Sequence, residues 1–420
     1  MRVALVHDYI KEYGGAERVL EALHEVFPDA PVYTTVYLPK FLGPHRERFE
    51  NPPDGEAGWD IKTSFLQYLP FKSKLISPIR LVAPFVFKSF DFSKFDMVIV
   101  SATGAYSPNA IVCHPERSEE SRDSSAKPQN DIAKSPIHIC YCHTPPRYLY
   151  GFATAREWKN NLIFRVFGEL ANHFLRLADF KSSENVNYFI ANSKNVAGRI
   201  KKFYKKDSTV IYPPATLSLA RRAGPPIEIS NLKSQISNKS KIQNTKYLIH
   251  NTGYYLVGGR LARPKHIDLI VETFSKLNLP LRIFGRGFAG YELELKSKAK
   301  SKIEFLGEVT DEEKLELMKN AKAFIFASED EDFGITPVEA MSMGTPVIAY
   351  RSGGVLESVV DNKTGLFFNE LTIKSLSEAV KKFAKIKFDP QELIKQAQKF
   401  SKDRFKREIK AFVEKSYKHA

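Results

Sequence analysis

The sequence is poor in cysteine, and this restricts where the protein can work. Only three cysteines occur among 420 residues, at Cys113, Cys140 and Cys142. An odd number at these spacings supplies neither a disulfide framework nor a zinc site. We therefore expect a reducing compartment, the cytoplasm, rather than an oxidising one.

Long apolar runs are also missing, although apolar residues make up 43% of the chain. No run approaches the roughly 20 residues that a helix needs to span a membrane. The first ten residues, MRVALVHDYI, become polar too soon for a signal peptide. Their pattern instead predicts a buried first strand. The length is typical of two domains, or of three small ones.

Acidic residues are outnumbered, with 48 Asp and Glu against 63 Lys and Arg, which gives a net charge of +15. Such an excess suggests an anionic partner, and nucleic acid, an anionic membrane surface and a phosphorylated small molecule are the candidates. No motif interleaves stacking aromatic and basic side chains as nucleic-acid binding requires. We therefore expect no nucleic-acid partner.

Short apolar runs alternate with amphipathic stretches along most of the chain. The first run is Val3–Val6, and the alternation restarts after Val210–Pro214, VIYPP. Repeated β–α units with buried strands indicate parallel sheets covered by helices. The predicted fold class is α/β, with two doubly wound, Rossmann-like domains at residues 1–212 and 213–400 that face a central cleft.

Two polar stretches interrupt this pattern, at about 114–136 and 217–245. Neither contains enough apolar surface to order itself, so both are predicted to be surface insertions. Residues 401–420 form a basic amphipathic pattern, which predicts a final helix that packs back on the first domain.

The segment Ala327–Tyr350 places four carboxylates, Glu329–Asp332, directly before a helix signal. One interpretation is structural: Thr336 as N-cap, Pro337 at the first helical position and Glu339 would form a capping box. The other is functional, because ligands bind at the carboxyl ends of parallel strands and helix N-termini attract phosphates. Carboxylates would accept hydrogen bonds from hydroxyls, so a nucleotide sugar fits this loop.

Other strand ends carry residues of matching chemistry. Arg260 and Lys265 follow a strand and could hold a diphosphate and neutralise a leaving phosphate, or they could be a solvated basic loop. Gly14 and Gly15 open a helix after the first strand and could form a backbone nest for a phosphate. His143 ends another strand and would face the cleft, although a lone histidine is often structural.

A second glycine motif, Gly285, Gly287 and Gly290, has the GxGxxG spacing of dinucleotide-binding folds. It lies in the second strand–helix unit of its domain rather than the first. This position argues against NAD binding.

Taken together and in order, the motifs resemble the family 4 glycosyltransferases, above all the bacterial mannosyltransferases that build cell-surface polysaccharides. The resemblance covers nearly the whole chain outside the two insertions. It is carried by GGAERV, CYCHTPPRYLY, ANSKNVAGRIKKFY, VIYPP, GRLARPKHIDLIVE and EDFGITPVEAMSMGTPVIAYRSGGVLE.

This resemblance implies the GT-B fold and a retaining hexosyltransferase that uses neither a metal nor a cofactor. The donor would be a nucleotide sugar, with GDP-mannose as first choice. The acceptor would be a saccharide or a lipid-linked sugar. A sugar-nucleotide epimerase and a phosphorolytic enzyme share the fold and remain the alternatives.

The resemblance also implies roles for individual residues. Glu331, the first glutamate of E-x7-E, would contact the hydroxyls of the donor sugar, and Glu339 would bind the ribose. Arg260 and Lys265 would hold the two phosphates, and His143 would line the sugar and acceptor side. The other expected donor-binding residues are Gly14, Gly15, Gly285, Phe333, Gly334, Ile335 and Thr336.

Two positions depart from the family pattern. Asp332 stands where a glycine is usual, which leaves the conformation of its loop open. No basic residue closely follows Ser101, so acceptor recognition at that point does not carry over.

The segment Phe71–Phe90 mixes basic residues with aromatic and aliphatic ones. It could lie against anionic lipid, where a lipid-linked acceptor would be found, or be a core segment with basic flanks. Pro78 and Pro84 argue against one continuous helix.

Overall fold

The computed structural model describes residues 1–50, 58–112, 135–153, 162–217, 253–287 and 290–419. Both expected insertions lie almost entirely outside the described residues, as does Cys113. The chain divides into two compact units. The first comprises Met1–Pro214, Asp330–Phe333 and Lys402–Ala420, and the second comprises Ala215–Glu329 and Gly334–Ser401.

The first unit is built on a seven-stranded sheet in which every strand pairing is parallel. The spatial order is β3-β2-β1-β4-β5-β6-β7, a doubly wound arrangement whose order reverses at β1. The strands are β1 Val3–His7, β2 Val32–Thr34, β3 Ile61–Thr63, β4 Met97–Ala102, β5 Ile137–Cys142, β6 Tyr188–Ala191 and β7 Ser208–Val210.

Helices cover both faces of this sheet, so its inner strands are buried on both sides, whereas the edge strands β3 and β7 are partly exposed. Along β1, Ala4 and Val6 belong to one apolar core, whereas Val3 and Leu5 belong to the core on the opposite face. The helices are α1 Gly15–Val26, α2 Glu47–Glu50, α3 Lys72–Ile79, α4 Ala83–Lys88, α5 Leu162–Glu184 and α6 Lys194–Tyr204.

The second unit has a six-stranded sheet, again parallel throughout, in the order β10-β9-β8-β11-β12-β13. Its strands are β8 Tyr255–Gly258, β9 Leu281–Phe284, β10 Ile303–Gly307, β11 Phe324–Phe326, β12 Val347–Tyr350 and β13 Gly365–Phe368. Its helices are α7 Ile267–Leu277, α8 Tyr291–Lys298, α9 Asp311–Lys319, α10 Ile335–Ser342, α11 Val355–Ser358, α12 Ile373–Phe383 and α13 Pro390–Gln398.

The final helix, α14 Lys402–Lys418, belongs to the first unit. Its apolar stripe of Phe405, Ile409 and Val413 is buried in the same core as the inner face of α1. Lys406 Nζ lies 3.0 Å from Glu25 Oε2, so a charged contact borders the apolar one.

The basic segment Phe71–Phe90 forms two helices rather than one, as the two prolines predict. Pro78 lies in the last turn of α3, and Pro84 lies in the first turn of α4. A proline is tolerated in the first turn because its nitrogen would have no intrahelical partner there.

Candidate functional site

Parallel strands of one sheet all end at the same edge, and the predicted site residues of each unit lie at such edges. In the first unit, His143 follows β5 and is buried. Its Nε2 lies 2.9 Å from Ser101 Oγ at the end of β4, and the same Oγ lies 3.1 Å from His7 Nδ1 at the end of β1. Sequence reasoning identified His143 but missed His7, whose signal was the dipeptide His7-Asp8 at the end of the first strand.

The environment of His143 keeps its imidazole neutral. Burial lowers the pKa of His143, and the neighbouring His7 lowers it further, to about 3. A neutral imidazole has one donor and one acceptor nitrogen. His143 therefore offers a substrate a hydrogen bond rather than a positive charge.

Asp8, also missed by sequence reasoning, organises the loop after β4. Its carboxyl group accepts hydrogen bonds from the backbone N–H of Thr103 at 2.6 Å and of Tyr106 at 3.1 Å. Burial raises the pKa of Asp8, whereas His7 and these hydrogen bonds lower it. The residue fixes the loop that follows Ser101.

Gly14 and Gly15 stand at the start of α1, as expected for a strand–helix turn. Gly14 is the N-cap, with extended backbone, and its N–H donates to Glu17 Oε2 at 2.9 Å. The carboxylate of Glu17 thus already occupies one donor of this turn. A phosphate bound here would have to share the turn with that carboxylate.

The acidic loop is anchored within the first unit through Asp332, the position at which the resemblance implies a glycine. Its Oδ1 accepts hydrogen bonds from Arg199 Nη1 at 2.6 Å and from Arg147 Nη2 at 3.0 Å. Both arginines also donate to the carbonyl oxygen of Asp330. Charge-assisted bonds of this kind are the stronger class of hydrogen bond.

Two further side chains hold the backbone of the same loop. Ser193 Oγ donates to the carbonyl oxygen of Asp332 at 2.6 Å, and Asn195 Nδ2 donates to that of Glu331 at 3.0 Å. Phe333 is buried, with its ring 5.5 Å from that of Tyr212. The backbone of Glu331 is therefore positioned on both sides.

In the second unit, Arg260 is exposed directly after β8. The adjacent Gly259 has a φ of +113°, and Gly285 at the end of β9 has a φ of +112°. A Cβ on Gly285 would lie 1.8 Å from the carbonyl oxygen of Gly259. Close approach of two strand ends therefore explains the first glycine of the GxGxxG motif by packing.

Lys265 lies in a short 3₁₀ turn, Arg263–Lys265, with its Nζ 5.3 Å from the ring centre of Phe326 on β11. The N–H of Glu329 donates to the carbonyl oxygen of Pro264 at 2.9 Å. His266 Nε2 lies 3.2 Å from Glu329 Oε2. The loop that carries Arg260 and Lys265 is thereby tied to the end of β11.

The capping box predicted for the next helix is wrong. Helix α10 begins at Ile335, and its N-cap is Gly334 with a φ of +86° and no side-chain capping bond. Because Gly334 adopts the left-handed conformation that glycine accepts readily, the helix starts before Thr336 can cap it. Ile335 and Thr336 therefore form the first turn, where N–H groups lack intrahelical partners.

Glu339 is 1% exposed and forms an ion pair rather than a cap. Its Oε1 lies 2.9 Å from Lys314 Nζ, which also lies 2.9 Å from Asp311 Oδ1. Sequence reasoning missed Lys314, because this lysine on α9 looks like an ordinary surface cation. The pair fixes the carboxylate of Glu339 inside the second unit.

Within the described residues, no helix has both the length and the hydropathy of a membrane span. The same residues bring no three His, Cys, Asp or Glu side chains into a metal-binding group.

Comparison with known proteins shows which families and structures this chain is similar to. Residues 238–400 match the family model described as Glycosyl transferases group 1. Alpha-1,3/1,6-mannosyltransferase ALG2 of Dictyostelium discoideum is 29% identical over 279 residues, which cover 60% of this chain and 62% of that protein. The match thus spans less than two thirds of this relative. Because the relative is eukaryotic, the resemblance is not specific to bacterial members.

Solved structures match over nearly full length. HepE from Anabaena, in complex with UDP and glucose, has a TM-score of 0.64 at 17% identity and covers 99% of both chains. Sucrose-phosphate synthase from Thermosynechococcus elongatus has a TM-score of 0.66 at 15% identity and covers 100% of both chains. These likenesses confirm the predicted fold. The match to the group 1 glycosyltransferase model covers residues 238–400, and the chain has the GT-B fold with its two parallel α/β sheets.

Proposed function

We propose that the protein is a retaining glycosyltransferase that moves a hexose from a nucleotide sugar to a saccharide or lipid-linked acceptor. The observation that carries this proposal is the second unit's edge, where Arg260, Lys265 and the start of α10 follow neighbouring strands. Two cations and free backbone N–H groups suit a diphosphate. In this assignment the second unit binds the donor and the first unit binds the acceptor.

Mannose, with GDP-mannose as donor, is the first choice of substrate. The named relative is a mannosyltransferase, which supports mannose. HepE was solved with UDP and glucose, which supports a nucleotide-sugar site. Its nucleotide carries uracil, however, whereas the proposed donor carries guanine. The choice of base is therefore the first question for experiment.

The chain's own residues supply electrostatic stabilisation and positioning. Arg260 and Lys265 neutralise the departing phosphate, which takes the acceptor's proton, and Glu331 accepts hydrogen bonds from the sugar's hydroxyls. Glu339 binds the ribose, while neutral His143 lines the sugar. No covalent intermediate is proposed.

Calorimetric titration with GDP, UDP, ADP and NAD⁺ in metal-free buffer tests the donor site. Binding of one nucleoside diphosphate supports the proposal and names the base for transfer assays with labelled sugar. Binding of NAD⁺ alone would overturn it. An epimerase would convert the donor sugar with no acceptor present, and product analysis of that control separates the two activities.

Removing one charge-stabilising group typically lowers turnover by roughly 10²–10³-fold. We expect losses of that order for Arg260→Ala and Lys265→Ala. The matched control is Arg263→Ala on the same turn, since its Nη2 pairs with Glu294 Oε2 at 2.9 Å. Wild-type turnover in Arg260→Ala, or an equal loss in Arg263→Ala, would contradict the assignment.

The first unit carries a surface suited to an anionic membrane, which would bring a lipid-linked acceptor within reach. The segment Ile61–Phe90 contains five Lys and Arg residues and no Asp or Glu. Within it, Phe71 is 76% exposed and Phe85 is 73% exposed. We call the exposed apolar residues of this segment the apolar–basic face: Phe65, Tyr68, Leu69, Phe71, Leu81, Val82 and Phe85.

A second apolar stripe lies on α5 of the same unit. Helices α4 and α5 both pack against the 3₁₀ turn Pro108–Ala110, and α5 exposes Leu170, Phe174 and Leu177. Positions 170, 174 and 177 share one side of a helix. Exposed apolar side chains flanked by cations favour a membrane surface over bulk water.

Vesicle sedimentation tests this surface. The wild-type protein should bind phosphatidylglycerol-containing vesicles better than phosphatidylcholine vesicles, with binding that weakens as salt rises. Phe71→Ser combined with Phe85→Ser should abolish binding, whereas Leu293→Ser, an exposed leucine of the second unit, should not. Unchanged binding by the double variant would reject the face.

A further inference from the structure

A line of buried side chains connects the start of α1 to His143. Glu17 Oε1 lies 3.7 Å from His7 Nε2, His7 Nδ1 lies 3.1 Å from Ser101 Oγ, and this Oγ lies 2.9 Å from His143 Nε2. The side chain of His7 is 0% exposed. Ser101 is also fully buried. Packing against the surrounding protein therefore fixes the positions of these side chains.

The serine hydroxyl has one proton, so it donates to one imidazole and accepts from the other. The polarity of the line therefore depends on which nitrogen of His7 carries hydrogen. The distance from Glu17 Oε1 to His7 Nε2 exceeds hydrogen-bond reach, so this contact is electrostatic. A negative carboxylate beside Nε2 favours N–H there and disfavours a lone pair.

The remaining orientations follow from that choice. With its single hydrogen on Nε2, His7 has an acceptor at Nδ1, to which Ser101 Oγ–H donates. The Ser101 oxygen then accepts from His143 Nε2–H. With a hydrogen on each nitrogen, His7 would instead donate to Ser101 and the line would run the other way. A neutral His143 protonated on Nε2 has an unprotonated Nδ1, which can only accept.

Two other groups lie beside this line and leave its polarity unchanged. The carboxyl oxygens of Asp8 are engaged by the N–H groups of Thr103 and Tyr106. The ring of Tyr141 meets that of His143 edge-on at 5.1 Å, while its hydroxyl donates to the carbonyl oxygen of Ile211.

We propose that Glu17, His7 and Ser101 are positioning residues that hold His143 in its Nε2–H tautomer, so that Nδ1 accepts a hydrogen bond from a hydroxyl of the transferred or accepting sugar. The sugar as ligand rests on the proposed function, whereas the tautomer does not. The line makes His143 selective for a hydroxyl that donates.

Long-range ¹H–¹⁵N correlation on full-length protein labelled at histidine tests the tautomer directly. His143→Gln identifies the signal by its loss. The expected wild-type pattern has His143 protonated on Nε2, and Glu17→Gln should shift His7 and His143 toward the other tautomer. Ser182→Ala, which removes a buried hydroxyl that donates to its own helix, is the control and should leave the pattern unchanged.

An Nδ1–H tautomer in the wild-type protein, or no response to Glu17→Gln, would overturn the inference. These readouts need no transfer activity. A protein with the expected tautomer but no sugar transfer with any nucleotide sugar would instead contradict the proposed function.

Modified sugars test the acceptor role of Nδ1. A fluorine can accept but not donate, so replacing the contacted hydroxyl by fluorine or by hydrogen should lower kcat/KM to a similar extent. The expected loss is about 3- to 10-fold, the size of one neutral hydrogen bond. Retained kcat/KM for the fluoro sugar with loss for the deoxy sugar would mean that His143 donates, and would overturn the inference.

Discussion

At the residue scale, burial shifts the pKa values of two groups of the first unit in opposite directions, upward for Asp179 and downward for His143. Burial raises the pKa of Asp179 to about 6, although hydrogen bonds from Tyr204, Tyr150 and Ser107 lower it. Burial lowers the pKa of His143 to about 3. Both groups are therefore neutral over a wider pH range in the folded state than in the unfolded chain.

The signs of the two contributions follow from linkage. Between pH 3.8 and about 6 the folded state binds more protons at Asp179 than the unfolded state does, so its contribution falls as pH rises. Between about pH 3 and 6.5 the unfolded state binds more protons at His143, so its contribution rises with pH. In the wild-type protein the two slopes largely cancel.

Asp179→Asn removes the contribution of Asp179, so the rise in stability with pH that comes from His143 should become visible. At pH 7 the variant no longer buries a charge, whereas at pH 4 the native carboxyl group is already protonated. We expect its stability relative to wild type to improve between pH 4 and pH 7 by on the order of 3 kcal/mol, from two pKa units at about 1.4 kcal/mol each. Urea unfolding at a series of pH values measures this difference.

Ser107→Ala should change the pKa of Asp179 without removing its carboxyl group. It removes a hydrogen bond from Ser107 Oγ to Asp179 Oδ1, so the pKa of Asp179 should rise further and the decline with pH should steepen. If Asp179→Asn followed the wild-type pH dependence, burial of the charge would not be the cause.

At the element scale, the loop between β11 and α10 depends on side chains that are distant in sequence. Arg199, whose side chain is 6% exposed, lies 133 positions before Asp332. A glycine at position 332 could not accept its hydrogen bond. The side chain of Asp332 thus holds the loop through hydrogen bonds that a glycine could not form.

Asp332→Ala should loosen this loop. Hydrogen bonds to charged groups contribute roughly 1.5–3 kcal/mol each, so amides near residues 330–334 should exchange with solvent tenfold faster or more. Hydrogen–deuterium exchange measures the effect. Asp332→Asn keeps one acceptor oxygen and should show a smaller change, and equal exchange in all three proteins would show that the anchor contributes nothing.

The order of elements was predictable from sequence, whereas several element ends and most site partners were not. Strands β1, β4 and β5 are apolar on both faces and bounded by polar residues, which is a strong signal. The predicted start of α10 was wrong because Thr336, Pro337 and Glu339 match a capping signature. The sequence alone does not reveal that Gly334 adopts a positive φ and begins the helix earlier. Lys314 and Arg199 were missed since long-range ion pairs leave no local pattern.

At the scale of the whole molecule, the chain leaves the first unit at Pro214, returns to it briefly at Asp330–Phe333 and returns again at Lys402. The returning helix α14 contributes Phe405, which is fully buried and packs its ring 5.7 Å from that of Tyr141 on β5. The first unit is therefore completed by residues from both ends of the sequence.

Phe405→Ala should destabilise the first unit by about 3–5 kcal/mol, the typical cost of truncating a buried aromatic residue. Lys410→Ala on the exposed side of α14 is the matched control and should cost almost nothing. Thermal unfolding followed by near-ultraviolet circular dichroism measures both. Equal melting temperatures for the two variants would mean that α14 is not part of the core.

Helix α14 also sets an order of events during synthesis. A ribosome releases the chain from its N-terminus, so β1 to β7 emerge long before Lys402 does. Until α14 emerges, the face of α1 that packs against Phe405, Ile409 and Val413 has no partner and exposes apolar surface. The nascent first unit should consequently be a chaperone client for most of its synthesis, and a truncation that removes α14 would harm the domain made first.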